Sequence, residues 1–111
     1  MARRFRVEWS PVAIADLDDI LEFIAHRETP ERAGQVYLAI SKRVETLVAY
    51  PMRGRIVPEL RRIGVTTYRE VIVGPYRVFF RIDGEVVGIV GVLDGRRDIQ
   101  EVLTLRGLKI R

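Results

Sequence analysis

The sequence predicts an α+β fold in the order β-α-α-β-β-β, and three observations predict it. Residues 11–50 hold two stretches of helical apolar period, each opened by a start signal. Residues 68–93 hold three alternating runs rich in β-branched and aromatic side chains, with a turn signal between the last two. A short alternating run, residues 3–9, precedes both. With 111 residues, all of them (1–111) are expected to form one domain around one modest core.

In the opening run, Phe5, Val7 and Trp9 share one face, and Arg4, Arg6 and Glu8 share the other. Ser10-Pro11 then starts a helix, with serine as N-cap and proline at the first helical position. Ile14, Leu17, Leu21 and Ile24 recur at spacings of three and four and form its apolar stripe. Thr29-Pro30 repeats the start signal, and Ala33, Val36, Tyr37, Ile40, Val44 and Leu47 form the second stripe. Pro51 should end that helix near Tyr50, because the residue before a proline is pushed out of the helical region. Two helices with so short a break read as an antiparallel helical hairpin.

Residues 52–67 lack a period and read as a basic loop with Arg53, Arg55, Arg61 and Arg62, with room for a short strand around Ile56-Val57. Strands follow at roughly 68–73, 76–82 and 86–93 as an antiparallel meander. Asp83-Gly84 is a two-residue hairpin signal, expected to pair Ile82 with Glu85, Phe80 with Val87 and Val78 with Ile89. Val78 and Phe80 then face the core, while Arg77, Phe79 and Arg81 point away, with Gly88 opposite Phe79. Gly74-Pro75 is less readable as a turn, so whether Arg69 or Glu70 shares the face of Arg77 stays open. Residues 99–105 are expected to form a short C-terminal element, helical or extended.

Charge is asymmetric. Residues 1–50 carry seven Lys/Arg against eight Asp/Glu, and residues 51–111 carry twelve against seven, so the net +4 comes from the second half. Seventeen of the nineteen basic residues are arginines, whose planar guanidinium binds phosphate or carboxylate with two parallel hydrogen bonds. Either a nucleic acid or an acidic protein suits such a surface, and a GC-rich genome alone would also enrich arginine. The absence of cysteine excludes disulfides, thiolate metal sites and a cysteine nucleophile. Nothing in the sequence calls for a metal or another cofactor. No apolar run approaches the roughly 18 residues of a membrane helix, and no signal-peptide core is visible, so the cytoplasm is the expected compartment.

Several motifs in this order resemble the ParE/RelE toxin superfamily of type II toxin–antitoxin systems, and its ParE-like branch in particular. They are Trp9-Ser10-Pro11 with Ala15-Asp16-Leu17, Tyr50-Pro51 with Gly54-Arg55, and Tyr68-Arg69-Glu70-Val71. Pro75-Tyr76-Arg77-Val78-Phe79-Phe80-Arg81 and Val92-Leu93-Asp94-Gly95-Arg96-Arg97-Asp98 complete the set, which spans nearly the whole chain. The resemblance implies one of two activities: poisoning of DNA gyrase, as in ParE-like members, or metal-independent cleavage of mRNA on the ribosome, as in RelE-like members.

RNA cleavage needs a base for the 2′-hydroxyl, positive charge for the phosphorane and an acid for the leaving oxygen. Arg77 and Arg97 align with arginines that supply the charge in the nucleases. The nucleases' C-terminal tyrosine falls near Leu103, and a basic strand residue is replaced by Glu70. Many relatives carry a histidine where Asp94 stands, and the single histidine, His26, closes the first helix. These departures favour the gyrase poison over the nuclease, which stays as the alternative. The resemblance also implies an acidic, partly disordered antitoxin that folds on binding and forms a hetero-oligomer with this chain. Val12, Ile20, Phe23 and Val48 are candidates for the antitoxin surface. Arg53, Arg55, Arg61, Arg62, Arg69, Arg81 and Arg96 are candidates for contact with the target or with phosphate.

Overall fold

The computed structural model describes residues 4–95. Strand β1 (Arg6–Trp9) leads into helices α1 (Pro11–Arg27) and α2 (Pro30–Glu45). Two 3₁₀ turns, Thr46–Val48 and Pro51–Arg53, then lead to β2 (Arg55–Ile56) and a one-turn helix α3 (Pro58–Arg61). The meander β3 (Tyr68–Val73), β4 (Tyr76–Asp83) and β5 (Val86–Asp94) completes a five-stranded sheet of order β1-β5-β4-β3-β2. Among the described residues, no helix is long and apolar enough to cross a membrane.

Both helix starts form as the sequence indicates. The Ser10 hydroxyl accepts the Ala13 N–H at 3.1 Å, the Thr29 hydroxyl accepts the Arg32 N–H at 3.0 Å, and a proline follows each cap. Each cap satisfies one backbone donor that the first turn leaves without a partner. The second helix ends five residues before Tyr50. At Thr46 its hydroxyl donates to the Arg43 carbonyl at 2.6 Å, and the chain tightens into a 3₁₀ turn. Tyr50 itself has left the helical region (φ −133°, ψ 57°), as the proline after it requires.

The helical hairpin covers one face of the sheet. Its core unites Ala13, Leu17 and Ile24 of α1 with Ala33, Val36, Ile40 and Val44 of α2, and with Val71, Val78, Phe80, Val87, Ile89 and Val92 of the sheet. Strand β1 pairs with β5 in parallel, from Arg6↔Val86 to Trp9↔Ile89, which joins the first and last described strands of the sheet. Among the described residues, no strand lies beside that side of β5 beyond Ile89. There the Asp16 carboxylate accepts the Val92 N–H at 2.9 Å, so α1 satisfies an edge donor that the sheet leaves over.

The hairpin register differs from the expectation by one residue. Asp83 pairs with Val86 and Ile82 with Val87, so Gly84 and Glu85 are the central residues of the turn. Gly84 has φ +60° and, among the described residues, none other than glycine has positive φ, which fits a turn with glycine first and excludes the form that needs two positive angles. Gly74-Pro75 obeys the same rule: Gly74 has φ +57°, the proline takes second place, and Val73 pairs with Tyr76. A bulge then corrects the faces. Phe80 pairs with Ile89 and Phe79 with Gly91, leaving Val90 as the extra residue. Val78 therefore meets Val92 rather than Ile89, and Gly88 lies opposite Arg81 rather than Phe79.

The far face of the sheet is not bare. Residues 52–67, expected as a basic loop with room for a short strand around Ile56-Val57, supply β2 and, beyond that expectation, α3, and they pack Val57, Leu60 and Val65 onto Phe79 and Leu93. At the start of this segment Gly54 passes close to the main core: a Cβ there would lie 2.4 Å from the Phe80 ring.

Candidate binding site on the far face of the sheet

Alternation along β4 places Arg77, Phe79 and Arg81 on the face away from the hairpin. The β3–β4 register puts Glu70 opposite Phe79 and Ile72 opposite Arg77, so Glu70 rather than Arg69 shares the face of Arg77. Strand β2 sets Arg55 opposite Glu70, and α3 brings Glu59 over the sheet. These four charged side chains form one network.

Arg77 is its centre and is 7% exposed. Its Nε donates to Glu70 Oε1 at 2.6 Å, and its Nη2 donates to Glu70 Oε2 at 3.1 Å. Nη1 and Nη2 grip both oxygens of Glu59 at 2.6 and 2.8 Å. Four of the five guanidinium N–H groups are thereby committed to carboxylates. Arg55 closes the network with a 2.7 Å hydrogen bond from its Nε to Glu70 Oε2. Hydrogen bonding from Arg77 holds the Glu59 carboxyl at about 2, well below its usual value, and Glu59 in turn raises the Arg77 pKa further. Two arginines face two glutamates, so the network is neutral as a unit.

Around it lies an open depression of ≈550 Å³, walled by Pro58, Ile72, Pro75 and Gly95, with Arg55 and Arg62 on its rim. Arg61 and Arg62 are exposed at the end of α3. Arg53 is exposed and stacks its guanidinium 4.1 Å over the Tyr50 ring. Arg81 is exposed opposite Tyr68 and Gly88. Arg69 lies on the hairpin side of the sheet and donates to the Gly54 carbonyl at 2.7 Å. Arg96, Arg97 and Leu103, with the expected element at 99–105, lie outside the described residues.

A second concavity, an apolar groove of ≈530 Å³, runs between β1, α1 and α2. Trp9, Ile14, Leu17, Tyr37, Val44 and Val48 line it, and Asp18 and Glu45 stand at its rim. Of the four apolar candidates only Val48 lies here. Val12 and Phe23 are exposed on α1 outside the groove, and Ile20 packs partly against the main core. Ile14 and Tyr37 belong to the apolar stripes expected to face the core, yet 48% and 47% of their surface stays exposed in this groove. The excess width of the two stripes was the available signal. Glu59 had none, because nothing in a 52–67 loop reading ties it to Arg77.

Comparison with known proteins gives this geometry its family. The model of the ParE toxin of the type II toxin–antitoxin system parDE matches residues 7–99. The fold is similar to a structure of the chromosomal ParDE toxin–antitoxin system from P. aeruginosa, with a TM-score of 0.69 and 23% identity over 82% of this chain and 96% of that one. It is also similar to the RelBE2 toxin–antitoxin complex from Mycobacterium tuberculosis, with a TM-score of 0.50 and 24% identity over 80% of this chain and 95% of that one. No curated protein sequence matches significantly. With the family model spanning both helices, the neutralised arginine site and the whole meander, the chain belongs to the ParE toxin family of type II toxin–antitoxin systems.

Proposed function

We propose that this ParE-family toxin poisons DNA gyrase, blocks replication, and is silenced by a cognate antitoxin in the cytoplasm. One observation carries the choice of gyrase over ribosomal mRNA: Arg77 is already occupied by Glu59 and Glu70. A phosphorane can recruit that guanidinium only by displacing a carboxylate, and Glu70 has no exposed side-chain surface through which to leave. The remaining buried glutamate would then repel the incoming phosphate. A site built to stabilise a dianionic transition state leaves its donors aimed at the place where charge develops; here they are spent in the ground state.

The exposed arginines Arg53, Arg61, Arg62 and Arg81 are what the chain offers to an acidic surface of the target. For the antitoxin, the groove at Trp9, Ile14, Tyr37 and Val48 suits an apolar segment, and the basic far face suits an acidic one. Complex formation should therefore slow as salt rises.

Pulse-labelling after induced expression without antitoxin tests the reading. DNA synthesis is expected to fall first, with protein synthesis following. Early failure of protein synthesis, with mRNA cut at ribosomes, would replace the gyrase reading with the nuclease.

A further inference from the structure

The turn between α2 and β2 carries side chains that the fold does not use. Tyr50 is 48% exposed and Met52 is 64% exposed, on either side of the buried Pro51. Arg53 follows, also exposed, with its guanidinium 4.1 Å over the Tyr50 ring. Exposed apolar residues are ordinary when scattered singly. Here an aromatic, a methionine and an arginine, the types enriched where proteins meet, stand side by side.

The backbone under them is fixed. The Tyr50 N–H donates to the Thr46 carbonyl at 3.0 Å, the Arg53 N–H to the Tyr50 carbonyl at 3.2 Å and the Gly54 N–H to the Pro51 carbonyl at 3.3 Å. Leu47 and Pro51 anchor the two 3₁₀ turns in the interior. Side chains presented from so ordered a turn lose little freedom when a partner covers them.

Arg53 also differs from the neighbouring arginines. Arg77 and Arg55 are spent on Glu59 and Glu70, and Arg69 on the Gly54 carbonyl. Among the described residues Arg53 makes no ion pair; the Tyr50 ring holds it and leaves its N–H donors for a carboxylate on a partner. We infer that Tyr50, Met52 and Arg53 form the contact by which the chain grips the protein it poisons, on a surface where a carboxylate lies beside an apolar pocket. DNA phosphates would answer Arg53 but leave Met52 and the Tyr50 ring in water, which favours a protein. A symmetric contact with a second copy would set two Arg53 side chains against each other. The inference rests on the reading of the chain as a gyrase poison and names the surface it would use.

The test uses the full chain with purified gyrase. Binding to gyrase without DNA, and the toxin dose giving half-maximal trapped plasmid breaks, are measured for wild type, Met52→Asp, Arg53→Glu and Arg27→Glu. Arg27 makes the same charge change at the far tip of the hairpin, separated from the turn by the 16 residues of α2, about 24 Å of helix. Thermal unfolding checks that each variant stays folded, as changes at exposed positions should. Met52→Asp and Arg53→Glu are each expected to weaken gyrase binding about tenfold or more and to raise the half-maximal dose to match, with little change for Arg27→Glu. Wild-type binding and dose in both turn variants overturn this contact and leave the gyrase reading standing. An equal loss in Arg27→Glu overturns a local contact in favour of overall charge. Neither binding nor breaks with wild type overturns both readings. Weakened binding to plasmid alone, with gyrase binding unchanged, overturns the choice of a protein.

Discussion

Replacing Glu70 and Arg77 singly and together measures how far Arg77 is committed to its partners. Glu70 has no exposed side-chain surface and receives three hydrogen bonds, two from Arg77 and one from Arg55. Glu70→Leu leaves a guanidinium buried with only Glu59 to neutralise it, and Arg77→Met leaves a buried carboxylate with only Arg55. Removing one partner of a buried pair costs about 3–5 kcal/mol, because the other charge stays desolvated. For each single variant we expect about 3 kcal/mol, since one partner survives in each case. At about 4 °C or more per kcal/mol for a domain near this size, that lowers Tm by roughly 12 °C or more.

The double variant removes both buried charges and leaves Glu59 and Arg55, whose side chains are 29% and 59% exposed and can turn to water. Buried pairs replaced by apolar groups of similar volume are often neutral in stability, so it should return to within about 1 kcal/mol of wild type. Urea denaturation of the four proteins gives the cycle, with a coupling of about 3 kcal/mol or more. Single losses under about 1 kcal/mol that simply add would refute the network and leave Arg77 available for a phosphate.

Three further outcomes follow from particular contacts. The Glu59 carboxyl is depressed from 4.5 to about 2 in the fold, so its contribution is present above pH 4.5 and is lost as pH falls from there toward 2. Glu59→Gln should be less stable than wild type at pH 7, with the two urea-stability curves converging as pH approaches 2. Gly54→Ala would set a methyl 2.4 Å from the buried Phe80 ring and should cost about 1–3 kcal/mol by denaturation, whereas Gly34→Ala, where a Cβ meets nothing within 4 Å, should not destabilise. Ser10→Ala should cost about 1 kcal/mol by removing the cap on Ala13, as read from the same denaturation midpoints.

Much of the fold could be read in the sequence because local rules decide it. Ser10-Pro11 and Thr29-Pro30 place the helix starts, and period-two runs place β3, β4 and β5 with boundaries that hold nearly to the residue. What failed depended on partners distant in sequence. The bulge at Val90 and the shift of the turn to Gly84-Glu85 are set by how β5 packs against both the helices and β4, which alternation alone does not encode. Residues 54–67 lack a period because they form two short pieces pinned by Phe79, Leu93 and Arg77.

The site was legible only in its residue types. In the sequence Arg77 reads as a candidate phosphate ligand and Glu70 as a departure from the nucleases. Their registry across β3 and β4 joins the two facts, since the departure is the partner. The apolar groove left no separate signal, because Ile14 and Tyr37 carry the same period as their buried neighbours, and period does not distinguish a buried face from an exposed one.

The central claim is that the chain acts on gyrase, and purified components test it most directly. The protein is incubated with DNA gyrase, ATP and supercoiled plasmid, then treated with detergent and protease to reveal trapped breaks. The account predicts linear plasmid that appears with the toxin, rises with its dose and disappears when antitoxin is added first. Intact plasmid at every dose, alongside cleavage of mRNA on added ribosomes, would contradict it.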